Sequence, residues 1–137
     1  MNAALLRQSW NMVDADRYRF THLFYVRLFQ YYPSVRALFP LDMQKQEQKL
    51  ADTLAVVISA VEGNDPSLVD TLHMLGRKHQ ELGAQPAHYP IVAKVLLETF
   101  ASDLGPDFTP EMQDAWTEAL TVVASKMLEG AGQALPV

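Results

Sequence analysis

The chain has 137 residues, 49% apolar and 20% charged, with 11 Lys+Arg against 16 Asp+Glu for a formal charge of −5. That length holds one domain with a real core, and the balance is globular rather than disordered. The acidic charge argues against a broad basic face for nucleic acid or a polybasic membrane anchor. Zero cysteines exclude disulfides, thiol nucleophiles, Cys-ligated zinc, iron–sulfur clusters and CxxCH attachment.

The apolar residues recur at helical spacing, and strand signals are almost absent. Leu6, Trp10 and Val13 mark a first helix. Phe20, Leu23, Phe24, Leu28 and Tyr31 mark a second, which Pro33 stops. Residues 34–39 suit a short helical turn before Pro40. A long helix then carries Leu50, Leu54, Val57, Ile58 and Val61 on one stripe until Gly63-Asn64-Asp65-Pro66. The next has Leu68, Leu72, Leu75, His79 and Leu82 at steps of four, three, four and three, then Gly83. Pro86 and Pro90 precede a helix with Val92, Leu96 and Phe100, which Gly105-Pro106 ends. Thr109-Pro110 opens a last helix bearing Met112, Trp116, Leu120, Val123 and Met127. The expectation is an all-α fold of crossed helices, one domain over residues 1–137, with residues 130–137 a flexible tail. The most apolar stretch, residues 54–61, is too short to span a membrane, and the first ten residues lack a signal-peptide layout, so a cytoplasmic protein is expected.

His79 is the centre of the chemical reading. An imidazole on an apolar helix stripe is either a core histidine satisfied by its neighbours or a metal ligand. One protein imidazole cannot hold free zinc, which needs three or four ligands, but it suffices where a porphyrin supplies four other nitrogens. Gln46 sits one turn ahead of Leu50 on the long helix's stripe. It is either a solvated residue at a helix start or an amide donor at the mouth of an apolar cleft. Tyr25 is a core aromatic or a hydroxyl donor in a pocket, and Phe39 a core plug or a ring stacked on a planar group. Lys49, Arg77 and Lys78 flank the stripes. His22, His73 and His88 lie off the stripe of His79 and suit surface or capping roles. No Gly-x-Ser-x-Gly, phosphate loop, GxGxxG or paired carboxylate points to hydrolysis or nucleotide binding.

These residues together resemble a globin, most nearly the bacterial single-domain haemoglobins and the haem domain of flavohaemoglobins. The resemblance runs from about Leu5 to Leu128 on FYVRLF (24–29), Pro33 with VRALF (35–39), LGRKHQELG (75–83), HYPIV (88–92) with LL (96–97), and DAW (114–116). It implies a globin fold of six to eight helices around haem b. His79 falls on the iron ligand, Phe39 on the ring that stacks on haem, Tyr25 on the distal tyrosine and Gln46 on the distal glutamine. Leu50 is the apolar residue one turn on, and Tyr89 the tyrosine beside the ligating histidine. Val92, Leu96 and Val123 would line the slot. A gapless register would put Lys49 at the glutamine position, and the stripe prefers Gln46. Flavohaemoglobins carry a glutamate against the ligating histidine where this chain has Ala131, which weighs toward binding over peroxidase-like work. The resemblance implies O2, CO and NO as ligands and reversible O2 binding as function. The alternative is nitric oxide dioxygenation with an external reductase.

Overall fold

The computed structural model describes residues 1–136, with Asp14 described by its backbone only. Six α-helices follow one another: α1 Ala3–Asp14, α2 Arg17–Tyr31, α3 Gln44–Glu62, α4 Leu68–Glu81, α5 His88–Leu104 and α6 Pro110–Gly130. Short 3-10 helices at Pro33–Leu38 and Gly105–Asp107 join α2 to α3 and α5 to α6, and no strand occurs among the described residues. None of these helices is long and apolar enough to cross a membrane.

Local chemistry accounts for the boundaries. Asn2 caps α1 by accepting from the Leu5 amide, and the Thr109 hydroxyl caps α6 by accepting from Met112, with Pro110 in the first turn. Pro33 ends α2 and starts the first 3-10 helix. α6 continues through Gly130, and the Gln133 amide closes its end on the Leu128 carbonyl at 2.8 Å. The first residue of the expected tail is therefore helical, and Val137 lies outside the described residues.

α4 lies along α6, α2 packs on α3 and α5, and α1 packs on α6 and α3. The core is aromatic at its centre. The Phe20 ring sits 4.5 Å from that of Phe100, which in turn lies 4.7 Å from Trp116 and stacks on Phe108 at 5.1 Å. Ser9, fully buried, accepts from the Trp116 indole at 2.7 Å and donates to the Leu5 carbonyl at 2.8 Å. Ser9→Ala would strand the indole N–H in the core, so we expect a loss of about 1–3 kcal/mol in urea unfolding. An unchanged midpoint would show that the indole finds another acceptor.

Candidate functional site

α2 carries Phe24, Tyr25, Leu28 and Phe29 in one continuous stretch, and Tyr25 and Phe29 meet Phe39 where the first 3-10 helix ends. The Tyr25 ring lies edge-on to Phe39 at 5.4 Å, and Phe29 is 5.4 Å from Phe39. Arg36 fixes this corner by donating to the carbonyls of Phe39, Pro40 and Leu41 at 3.3, 2.8 and 3.1 Å. Its guanidinium also lies 5.0 Å over the Phe29 ring. From the first turn of α3, Gln46 donates its amide to the Tyr25 hydroxyl at 3.1 Å. Burial pushes the Tyr25 phenol up to about 12, the Gln46 bond pulls the other way, and the Glu47 charge adds to the rise. The hydroxyl therefore keeps its proton at neutral pH, and no described residue accepts it. Leu50, one turn after Gln46, is half-buried against the core. Lys49 is exposed, and the amide that meets Tyr25 belongs to Gln46.

His79 stands on the last turn of α4. Its Nδ1 donates to the Leu75 carbonyl at 2.7 Å, which leaves the lone pair of the neutral ring on Nε2. Its own carbonyl accepts from Ala84 at 2.9 Å, a closure made possible by Gly83 at a φ of 99°. The Tyr89 ring, half-buried, lies 6.4 Å away, and burial raises its phenol pKa. The helix stripe predicts an inward imidazole, but the structure leaves the ring exposed. The reason is what lies opposite. α4 is backed by α6 and touches α3 only lightly, while α2 does not pack on it. Leu82, one turn beyond His79, is 72% exposed, and Val92, one turn beyond Tyr89, is 36% exposed. Of the other expected slot residues, Leu96 is buried in the core and Val123 is half-buried on α6. The Leu38 side chain comes within 3.2 Å of where a Gly83 Cβ would stand, so the segment that holds Phe39 also reaches the end of the His79 helix.

The globin family model matches residues 22–127. The chain belongs to the globin family. It is 33% identical over 110 residues to a flavohemoprotein of Bacillus subtilis, covering 79% of this chain and 28% of that protein. It is 29% identical to a neuroglobin of Danio rerio, covering 92% of this chain and 87% of that one. The chain thus spans less than a third of the flavohemoprotein and most of the neuroglobin. Among solved structures it superposes with a TM-score of 0.83 and 28% identity on an engineered carbene transferase made from a candidate nitric oxide dioxygenase of Rhodothermus marinus. That match covers 95% of this chain and 90% of the other.

Several residues that shape the site in this globin escape a reading by sequence pattern. Gly76, one turn before His79, lies so close to α6 that an added Cβ would fall 1.6 Å from the Met127 carbonyl oxygen. Gly130 meets the His73 backbone in the same way at 2.3 Å. These two contacts seat α4 on α6 backbone to backbone. A glycine inside a helical stripe is the only sequence signal for them. His73 is half-buried: its Nε2 is shielded without a hydrogen bond, 3.8 Å from the Glu129 carboxylate, while part of the side chain reaches the surface. Glu129 also pairs with Lys126 at 3.2 Å, so it faces His73 and not His79. His88, the first residue of α5, accepts from the Gln85 amide at 3.0 Å in the preceding turn and does not cap the helix, whose N-cap Ala87 has no side-chain cap hydrogen bond.

Proposed function

We propose that this globin holds haem through His79 and binds O2 reversibly. The donor set fits the group. Among the described residues no three His, Cys, Asp or Glu side chains gather as a metal site, so a metal here must bring most of its ligands with it. His79 offers one lone pair, oriented by the Leu75 carbonyl. Phe39, Leu82 and Val92 offer apolar surface for a flat macrocycle, and Tyr89 braces the imidazole side. Haem, when bound, supplies the iron that takes a diatomic ligand.

The observation that carries the O2 reading is the Tyr25–Gln46 pair. A hydroxyl with an uncommitted proton and an amide 3.1 Å from it stand together in an aromatic corner. Two neutral donors in a dry environment favour a ligand that gathers negative charge, as O2 does and CO does far less. Gln46 keeps Tyr25 aimed, and Phe29 and Phe39 keep water off the pair. Tyr25→Phe is expected to speed O2 dissociation by about tenfold or more while CO release changes little, because a hydrogen bond to a charged acceptor is worth about 1.5–3 kcal/mol. Stopped-flow displacement measures both rates. Equal rates in variant and parent would remove the hydroxyl from the site.

A second reading is nitric oxide dioxygenation. Its support is the likeness to flavohemoproteins and to the Rhodothermus protein. The reaction consumes NO, O2 and one electron to give nitrate, so turnover draws on a reductase. Ala131, in place of a glutamate against His79, and the turning of Glu129 toward His73 weigh toward the carrier. Mixing the oxygenated protein with NO separates the two. One nitrate per site supports binding, and sustained nitrate production with added reductase supports the enzyme.

A further inference from the structure

Met43 does not cap α3, and the Asp42 carboxylate takes the Gln44 amide at 3.0 Å. The first turn is also gripped from α2, and that grip falls on Glu47, the residue after Gln46. Thr21, fully buried, donates its hydroxyl to the Glu47 carbonyl at 2.8 Å. His22 donates Nδ1 to the Glu47 carboxylate at 2.8 Å. One turn further along α2, Tyr25 receives the Gln46 amide at 3.1 Å. Three bonds thus tie one edge of α2 to two consecutive residues of α3. The first two set how close α3 approaches, and the third is the contact that depends on it.

We propose that Glu47 is the positioning residue of the Tyr25–Gln46 donor pair, and that its bond to His22 makes this positioning respond to pH. The proposal rests on reading that pair as the ligand-facing donors. The other charged groups around His22 are engaged elsewhere or point to water. On α3, Asp52 pairs with Arg17 at 3.0 Å and accepts from the Tyr18 hydroxyl, while Lys45 and Lys49 are exposed. On α5, Asp103 pairs with Arg19 at 2.9 Å, and the Glu98 carbonyl accepts from Arg27. Arg36 of the first 3-10 helix is spent on three carbonyls. Glu47 is therefore the carboxylate that His22 meets. A protonated His22 adds charge to that bond and tightens the turn, and a neutral one slackens it. Ligand release should be slower on the acid side of the histidine range and faster on the alkaline side. The imidazole is 58% exposed, so the change is modest.

The test uses the full chain loaded with haem, and the haem-free chain beside it. O2 dissociation is measured from pH 5.5 to 8.5 (roughly the span over which a histidine titrates) in the parent, His22→Gln, Thr21→Val and Thr21→Ser. The parent rate is expected to rise about two- to fivefold across the range, as an exposed pair permits, and His22→Gln to be flat. Thr21→Val should be faster by about fivefold or more at every pH, as loss of a buried hydroxyl bond implies, and Thr21→Ser should return to the parent rate. In the haem-free chain, the NMR signals of the Gln46 side-chain amide should move with His22 titration in the parent and stay fixed in His22→Gln. Identical pH profiles in parent and His22→Gln, or a Gln46 amide signal indifferent to pH in the haem-free parent, would overturn the proposal. If Tyr25→Phe leaves O2 release unchanged, the donor reading fails. The haem-free amide titration then still decides whether Glu47 positions Gln46.

Discussion

His79→Ala should lose haem to an excess of a haem-free acceptor globin about 100-fold faster than the parent. Even the outer partners of a metal ligand are worth about 10–100-fold in affinity, and this change removes the ligand itself. The structure also says what the substitution should leave alone. The imidazole is exposed and makes its one hydrogen bond to a carbonyl of its own helix, so the haem-free variant should unfold within about 0.5 kcal/mol of the parent. That combination, lost retention at unchanged stability, separates a ligand from a packing residue. Added imidazole should restore much of the retention in His79→Ala by replacing the missing lone pair. Parent-like retention without imidazole would remove His79 from the role.

The exposure of His79 shows what a helical stripe can and cannot say. The four-three-four-three spacing from Leu68 to Leu82 correctly places His79 on the face with Leu72 and Leu75. It says nothing about whether another helix lies opposite that face. Here Leu72 is buried on a helix that packs along α6, while His79, two turns on, meets the Tyr89 ring of α5 on one side and stays exposed. Gln46 was legible for a similar reason. Its place on the stripe with Leu50 and Leu54 selects it over Lys49, and the Gln46 amide donates to the Tyr25 hydroxyl. The helix ends were legible where proline, glycine or a Thr-Pro cap marks them.

The illegible features are those made by residues far apart in the chain. Thr21 and Glu47 are 26 residues apart and Ser9 and Trp116 are 107 apart, and even Trp116, which closes the DAW motif, carries no sign of its partner. Arg36 is local, but its partners are backbone carbonyls that no side-chain pattern encodes. His73 reads as polar and off-stripe, yet the close approach at Gly130 buries its Nε2. In each case the long-range approach of two backbones, and not the local period, decides the environment.

That approach gives the largest expected effect on stability. Alanine is a better helix residue than glycine by about 1 kcal/mol, so helix propensity alone predicts that Gly76→Ala stabilises α4. The geometry predicts the opposite. A Cβ at Gly76 would stand 1.6 Å from the Met127 carbonyl oxygen and 2.7 Å from its Cα, and both are backbone atoms that no rotamer change can move aside. α4 must lift from α6, which opens the buried contacts of Leu72, Met127 and Leu128. We expect Gly76→Ala to lose about 3 kcal/mol or more in urea unfolding, at the upper end for overpacking. Gly130→Ala should behave alike, since its Cβ would meet the His73 Cα at 2.3 Å. Gly63→Ala is the control. Its Cβ would meet only the Ser59 carbonyl at an ordinary 3.5 Å, so its stability should hold. Because His79 rides on α4 one turn past Gly76, the lifted helix should also release haem faster, with the Leu75 bond to the imidazole intact. A Gly76→Ala protein as stable as the Gly63→Ala one would mean that α4 and α6 do not cross so closely, and the seat assigned to the His79 helix would be wrong.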